Sequence, residues 1–231
     1  MNKRGIAVDG PAGAGKSTVV KIIAKELGIN YVDSGSLYRT IAYCLFKNDI
    51  DCNDVMEMPD EELKGILDSM NIEVEFSDGV QINHLNGEAI EDKLLRSEET
   101  SMVASKTSSL GLVREKVNNI IYKIIKENEV VMEGRDIGTV VMPDALLKVY
   151  LDASSEERAK RRILQLKEKG QKAGTLLEVK ADIEKRDKQD MTREIAPLKK
   201  ADDAMVLDST ALTISEVVRF ICDEYKERKG K

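Results

Sequence analysis

The chain has no tryptophan, one histidine, three cysteines and four prolines among 231 residues, and aromatic residues make up only 4 % of it. Charged residues are 34 %. That balance points to a helix-rich α/β protein, long enough to bury a full core as one domain. Cys44, Cys52 and Cys222 are odd in number and lack C-x-x-C spacing, which excludes a disulfide framework and fits reduced, mostly buried thiols. No apolar run approaches the ~20 residues that span a bilayer, so no membrane partner is expected. Strand-like sequence follows Met1-Asn-Lys-Arg-Gly5 at once, so a signal peptide is not expected and a cytoplasmic location is. Internal repeats and low-complexity segments are absent. So are D-x-x-G and N-K-x-D, the pair that marks a GTPase switch.

A basic excess is missing too. The net charge is −6, which argues against a nucleic-acid partner. The distribution is uneven: Glu156–Lys172 carries seven basic residues against three acidic ones. A local basic segment in an acidic chain suggests a small anionic ligand.

What is present is a glycine loop. Gly10-Pro11-Ala12-Gly13-Ala14-Gly15-Lys16-Ser17 follows the apolar run Gly5-Ile-Ala-Val and reads as a phosphate-binding P-loop, G-x-x-x-x-G-K-S. Glycines let the backbone wrap its N–H groups around a β-phosphate, Lys16 adds a cation for the β/γ oxygens, and the Ser17 hydroxyl can ligate Mg²⁺. At ordinary glycine frequency the four fixed positions arise by chance in on the order of one such chain in a hundred. The context supports the reading. Val19, Val20, Ile22, Ile23 and Leu27 form a helical apolar face behind the loop, closed by Gly28.

Short apolar runs at residues 5–9, 30–33, 129–133, 146–151 and 204–207 are separated by helical periodicity. Ser154-x-x-Glu157 and Thr213-x-x-Glu216 are capping boxes opening two of the helices. This alternation predicts a doubly wound parallel sheet of five strands, with ligands outside the carboxyl ends of the strands. One stretch breaks the rhythm. Ile72–Phe76 and Val80–Asn83 alternate apolar and polar around Ser77-Asp78-Gly79, and Asn86-Gly87 marks a second turn. A small antiparallel β insert is expected at about 62–96. The single histidine, His84, lies in it and is read as structural.

Four clusters follow the loop. Asp33-Ser34-Gly35-Ser36-Leu37-Tyr38-Arg39 follows the second strand, and Glu133-Gly134-Arg135-Asp136 follows the third. Arg158, Arg161 and Arg162 share one helix face, as do Arg186, Asp190 and Arg193. Guanidiniums converging on a phosphoryl group supply bidentate hydrogen bonds and neutralise charge. A phosphate acceptor, with its second pKa near ≈ 6, needs no general base, and the arginine-rich, histidine-poor inventory fits such an acceptor.

In order, G-P-A-G-A-G-K-S-T, D-S-G-S-L-Y-R, E-G-R-D-I-G-T-V-V-x-P-D-A, L-D-A-S-S-E-E-R-A-x-R-R and R-D-x-x-D-x-x-R-x-x-A-P-L resemble the bacterial cytidylate kinases over nearly the whole chain. The resemblance implies ATP-dependent phosphorylation of CMP or dCMP on an adenylate-kinase-like fold. One P-loop kinase domain, 1–231, would comprise a core (about 1–33, 112–153 and 175–231), a monophosphate-binding region (34–111) and a lid (154–174). It implies that Gly10–Thr18, Arg158 and Arg161 bind ATP, and that Lys16, Arg135, Arg158, Arg162 and Arg193 act in catalysis. Arg39, Arg135 and Arg193 would hold the CMP phosphate; Ser105, Arg114 and Asp136 would read cytosine; Ser34, Arg186 and Asp190 would meet the sugar. The family often has G-K-G-T where this chain has Gly15-Lys16-Ser17-Thr18, which places Ser17 as the Mg²⁺ ligand; Asp33 and Glu133 are the carboxylates considered for the metal's outer shell. A monomer is expected, with ATP and CMP or dCMP as its small-molecule partners. Rival readings are a kinase of UMP, AMP or shikimate, and a regulatory P-loop ATPase.

Overall fold

The computed structural model describes residues 4–168 and 170–230; Lys169 of the basic segment, Met1–Lys3 and Lys231 lie outside the described residues. The first half of the chain runs β1 (Ile6–Asp9), α1 (Lys16–Leu27), β2 (Asn30–Asp33), α2 (Ser34–Lys47), α3 (Cys52–Glu57) and α4 (Asp60–Ser69). Then come β3 (Ile72–Ser77), β4 (Val80–Leu85), β5 (Glu88–Ala89), α5 (Asp92–Leu95), α6 (Glu98–Thr107) and α7 (Gly111–Glu127). The rest is β6 (Val130–Gly134), a π-helical turn (Ile137–Val141), β7 (Leu147–Asp152), α8 (Ser155–Glu168), α9 (Leu176–Thr192), β8 (Met205–Asp208) and α10 (Ile214–Lys229). Two compact units result, one of Met1–Tyr31 with Glu129–Lys231 and the other of Val32–Asn128.

The first unit is built on a five-stranded sheet of order β2-β6-β1-β7-β8, with β6, β1, β7 and β8 paired in parallel. The apolar runs are short and nearly all buried because such a sheet is covered on both faces. Ile6 and Val8 of β1 point to one face, where they pack with Val20 and Ile23 of α1 and Val217, Ile221 and Tyr225 of α10. Each of these buried side chains stabilises the fold by about 1.5–3 kcal/mol. Asp9 alternates to the opposite face and meets the π-helical turn. Gly28 ends α1 in the left-handed conformation, its N–H donating to Ala24 O. Among the described residues no helix is long and apolar enough to cross a membrane.

The second unit packs α2 against α5, α6, α7 and the strand β4. Leu37, Ile41 and Leu45 of α2 and Val113, Val117 and Ile121 of α7 are all buried, at the spacing of one helical face. Its antiparallel sheet has the order β3-β4-β5. Asp78 and Gly79 turn the first hairpin, and Asn86 and Gly87 the second, all four at positive φ as a two-residue loop of this kind requires. The sheet occupies 72–89, flanked by α4 and α5, two helices the alternating pattern does not foretell.

Thr213 opens α10 with a complete capping box, and Thr213→Ala should lower stability by about 1 kcal/mol in thermal unfolding. Gly10→Ala should cost more than ~2 kcal/mol, the range of severe backbone defects. A Cβ there would lie 2.0 Å from Leu151 O at a φ of +151°.

Candidate active site

The loop between β1 and α1 takes positive φ at Gly13 and Gly15, and Gly15 caps α1 with no side-chain hydrogen bond to the helix N-terminus. The first N–H groups of α1 are therefore left to an anion. Lys16 is buried and its Nζ donates to Gly10 O at 2.7 Å and Pro11 O at 2.8 Å. Burial, then the charge of Arg135, lowers its pKa to about 7, while Glu133, Asp9 and Asp190 pull the other way. Lys16 thus feels the strand-end cluster directly.

That cluster is an alternation of guanidiniums and carboxylates. Arg135 Nε donates to Asp190 Oδ2 at 2.8 Å, and Arg193 Nη2 to Asp136 Oδ1 at 3.3 Å. Arg193 Nη1 lies 4.0 Å from Asp190 Oδ1, and Arg193 Nε donates to Ala196 O at 2.6 Å. The structure brings Arg135, Asp136, Asp190 and Arg193 together; Arg186 is exposed on α9.

The three arginines of α8 have separate environments. Arg158 is 6 % exposed; its Nη1 donates to Ala12 O at 2.8 Å and Asp187 Oδ2 at 2.6 Å, and its Nε to Ala153 O at 2.9 Å. Arg161 donates to Glu157 and to Ser209 O. Arg162 is exposed, and its Nη1 donates to Gln165 Oε1 at 2.8 Å.

In the second unit, Asp33 caps α2 by accepting from Ser36 N at 3.0 Å and receives Arg39 Nη2 at 2.8 Å and Arg96 Nη2 at 3.1 Å. The buried Arg39 Nε has no partner among the described residues, so the guanidinium retains a donor. Ser34 is the first, buried residue of α2. Two side chains of β4 brace this corner. Gln81 accepts from Asp33 N and donates to Ser36 Oγ, while Asn83 Nδ2 donates to Ser36 Oγ and Thr40 Oγ1. Arg114 of α7 is buried over the Tyr38 ring, 5.7 Å from its centroid, and donates to Ser108 O. Ser105 is exposed on α6. His84 on β4 has Nε2 3.2 Å from Glu75 Oε2.

Ser17 is exposed at the start of α1. Of the two carboxylates considered for a metal, Asp33 is engaged by two arginines, whereas Glu133 accepts from Tyr31 Oη at 2.6 Å and bears on Lys16. No group of three or more histidine, cysteine, aspartate or glutamate side chains able to hold a metal occurs among the described residues. A hydroxyl plus phosphate oxygens, with one nearby carboxylate, does suit Mg²⁺, which keeps most of its waters.

Sequence reasoning passed over Asp9, Gln81, Asn83 and Asp187. Asp9 ends the apolar run just before the glycine loop, and Asp187 is the first aspartate of R-D-x-x-D, where other residues carry the motif. Asp9 is 4 % exposed and accepts from Ile137 N at 2.8 Å and Gly138 N at 2.7 Å. Burial raises its pKa from 3.8 to about 6 despite those two donors. The folded state therefore holds this proton between about pH 4 and 6 while the unfolded chain does not, so its contribution to stability falls as pH rises through that window. Relative to Asp9→Asn, the wild type should lose up to roughly 3 kcal/mol between pH 4 and 7 in urea unfolding.

The family model for cytidylate kinase matches residues 6–227. The chain is 45 % identical over 223 residues to a cytidylate kinase of Caldicellulosiruptor saccharolyticus, covering 96 % of each. It is 43 % identical over 222 residues to one of Bacillus cereus, again covering 96 % of each. A crystal structure of an uncharacterized protein from Eubacterium ventriosum shares the fold with a TM-score of 0.51 at 12 % identity, covering 98 % of this chain and 99 % of that one. The glycine loop, the alternating Arg–Asp cluster and this full-length similarity agree: the chain belongs to the cytidylate kinase family.

Proposed function

We propose that the chain transfers the γ-phosphoryl group of ATP to CMP or dCMP, giving ADP and CDP or dCDP. The observation that carries this reading is the Arg135–Asp190–Arg193–Asp136 cluster within electrostatic reach of Lys16. It combines cations suited to a phosphoryl group with carboxylates suited to a sugar and a base, on the same unit as the ATP loop.

The acceptor is itself a phosphate, mostly dianionic at neutral pH because its second pKa is ≈ 6. No side chain has to remove a proton. The work left to the protein is to orient two anions in line and to neutralise the charge they share. Lys16 serves the β/γ oxygens once a nucleotide displaces it from the loop carbonyls. Arg39, Arg135 and Arg193 serve the CMP phosphate. Arg162, exposed on α8, and Arg161 belong to the ATP side. Mg²⁺ would be held by the Ser17 hydroxyl, with Glu133 as the outer carboxylate; when bound it neutralises phosphate charge.

Base choice falls to Asp136, with Arg114 and Ser105. A carboxylate accepts from the N4 amine of cytosine and is repelled by the O4 of uracil. Ser34, Arg186 and Asp190 take the sugar. Residues 154–174 form the lid, 34–111 the monophosphate-binding region, and the remainder the core. Residence in the cytoplasm as a monomer, with neither nucleic acid nor membrane as partner, completes the reading.

A coupled assay with ATP·Mg²⁺ over CMP, dCMP, UMP, AMP and shikimate should give its highest kcat/KM on CMP or dCMP; strongest turnover on AMP would overturn the proposal. Asp136→Asn should reduce the CMP-to-UMP ratio of kcat/KM by roughly 10- to 100-fold, the range expected for one specific base contact. An unchanged ratio removes Asp136 as the selector.

A further inference from the structure

We propose that Asp187 is a positioning residue for the ATP loop, acting through Arg158 and the backbone of Ala12. Asp187 Oδ1 accepts from Ala12 N at 2.9 Å, and its Oδ2 receives Arg158 Nη1 at 2.6 Å. The same Nη1 donates to Ala12 O at 2.8 Å. Both polar groups of one loop residue are thus taken by side chains that also hold each other. Arg158 and Asp187 are each 6 % exposed, and Ala12 is 8 % exposed.

The two side chains come from different helices. Arg158 lies on α8 and Asp187 on α9, and these helices share a small core of Ala159, Val179 and Ile183. Contact with the loop continues at the next residue. A Cβ on Gly13 would stand 3.2 Å from Arg158 Cβ and 3.6 Å from Ile183 Cδ1. The α8–α9 pair is therefore seated against the apex of the loop, one residue before the N–H groups that cradle phosphate.

Stability does not explain such an arrangement. A buried ion pair repays its desolvation only in part, and well-packed apolar residues often replace it without loss. What apolar residues cannot do is satisfy the N–H and C=O of Ala12 or fix their directions. A phosphate nest depends on successive peptides keeping set orientations, and displacing a binding group by ~1 Å can cost about 100-fold in rate. Asp187 carries the wrong charge to touch a phosphate. Its part is to hold Arg158 and the loop in place.

The inference rests on the donor reading of the loop, which ATP binding by the wild type tests separately: a wild type that does not bind ATP removes that reading. With ATP binding in hand, Asp187→Ala should raise KM for ATP roughly tenfold or more, with KM for CMP within about twofold. Asp187→Asn keeps an acceptor for Ala12 N–H and should recover part of the loss. If Asp187→Ala does not fold, the isosteric Asp187→Asn and the double variant Arg158→Met with Asp187→Leu carry the test. The double variant should melt near the wild-type temperature yet retain the raised KM for ATP. Wild-type KM for ATP in the folded variants overturns the proposal, as does an equal rise for both substrates that tracks the drop in melting temperature.

Discussion

A loop that binds phosphate must aim several N–H dipoles at one point, and those dipoles repel one another until an anion arrives. The first unit is organised around holding that arrangement. Left-handed backbone at Gly13 and Gly15 turns the peptides inward. The absence of a side chain at Gly10 lets the strand end pass against Leu151 O. Lys16 lies across the carbonyls of Gly10 and Pro11, and Arg158 with Asp187 grips Ala12. The carbonyls of Gly10, Pro11 and Ala12 are thereby drawn to cations, and the Ala12 N–H to a carboxylate.

Cations set close together create a second difficulty, because they repel each other. Lys16 shows it: the charge of Arg135 adds to burial in making its proton easier to lose. The carboxylates are the answer. Asp190 stands between Arg135 and Arg193, Asp136 takes a second bond from Arg193, and Asp33 takes Arg39 and Arg96. Each carboxylate both lowers the repulsion among arginines and fixes the direction of a guanidinium. A general base has no place in such chemistry, and the chain's single histidine lies in the small sheet, its Nε2 3.2 Å from Glu75 Oε2.

Where the sequence was legible, the cause was local. The five parallel-sheet strands, the Gly28 stop, the turns at Asp78-Gly79 and Asn86-Gly87 and the capping box at Thr213 each follow from a few adjacent residues. The capping box at Thr175 and Glu178 has the same T-x-x-E signature and opens α9, yet it lies just beyond the basic segment, which was read for charge. Helices α3 to α6 were not foretold, since several are only one or two turns long and offer too few residues to display a period. The Arg158–Arg162 spacing located a helix face but not its burial, which depends on where α8 lies. The bonds of Asp9, Gln81, Asn83 and Asp187 to other elements span 29 to 175 positions in sequence, and no local pattern encodes a contact at that separation.

The placement of β1 has a consequence for how the protein is made. This strand sits at the centre of the parallel sheet, between β6 and β7, and its preceding residue Gly5 donates its N–H to Tyr225 Oη near the far end of α10. Both neighbours are encoded after residue 129, whereas Val32–Asn128 is one continuous segment that gathers its own core. As the ribosome delivers the chain, that middle segment is complete while the glycine loop, made before it, still lacks the strands on either side of β1. Pairings of such long separation form late because the intervening chain must be ordered first. The glycine loop is thus translated before the middle segment and assembled after it.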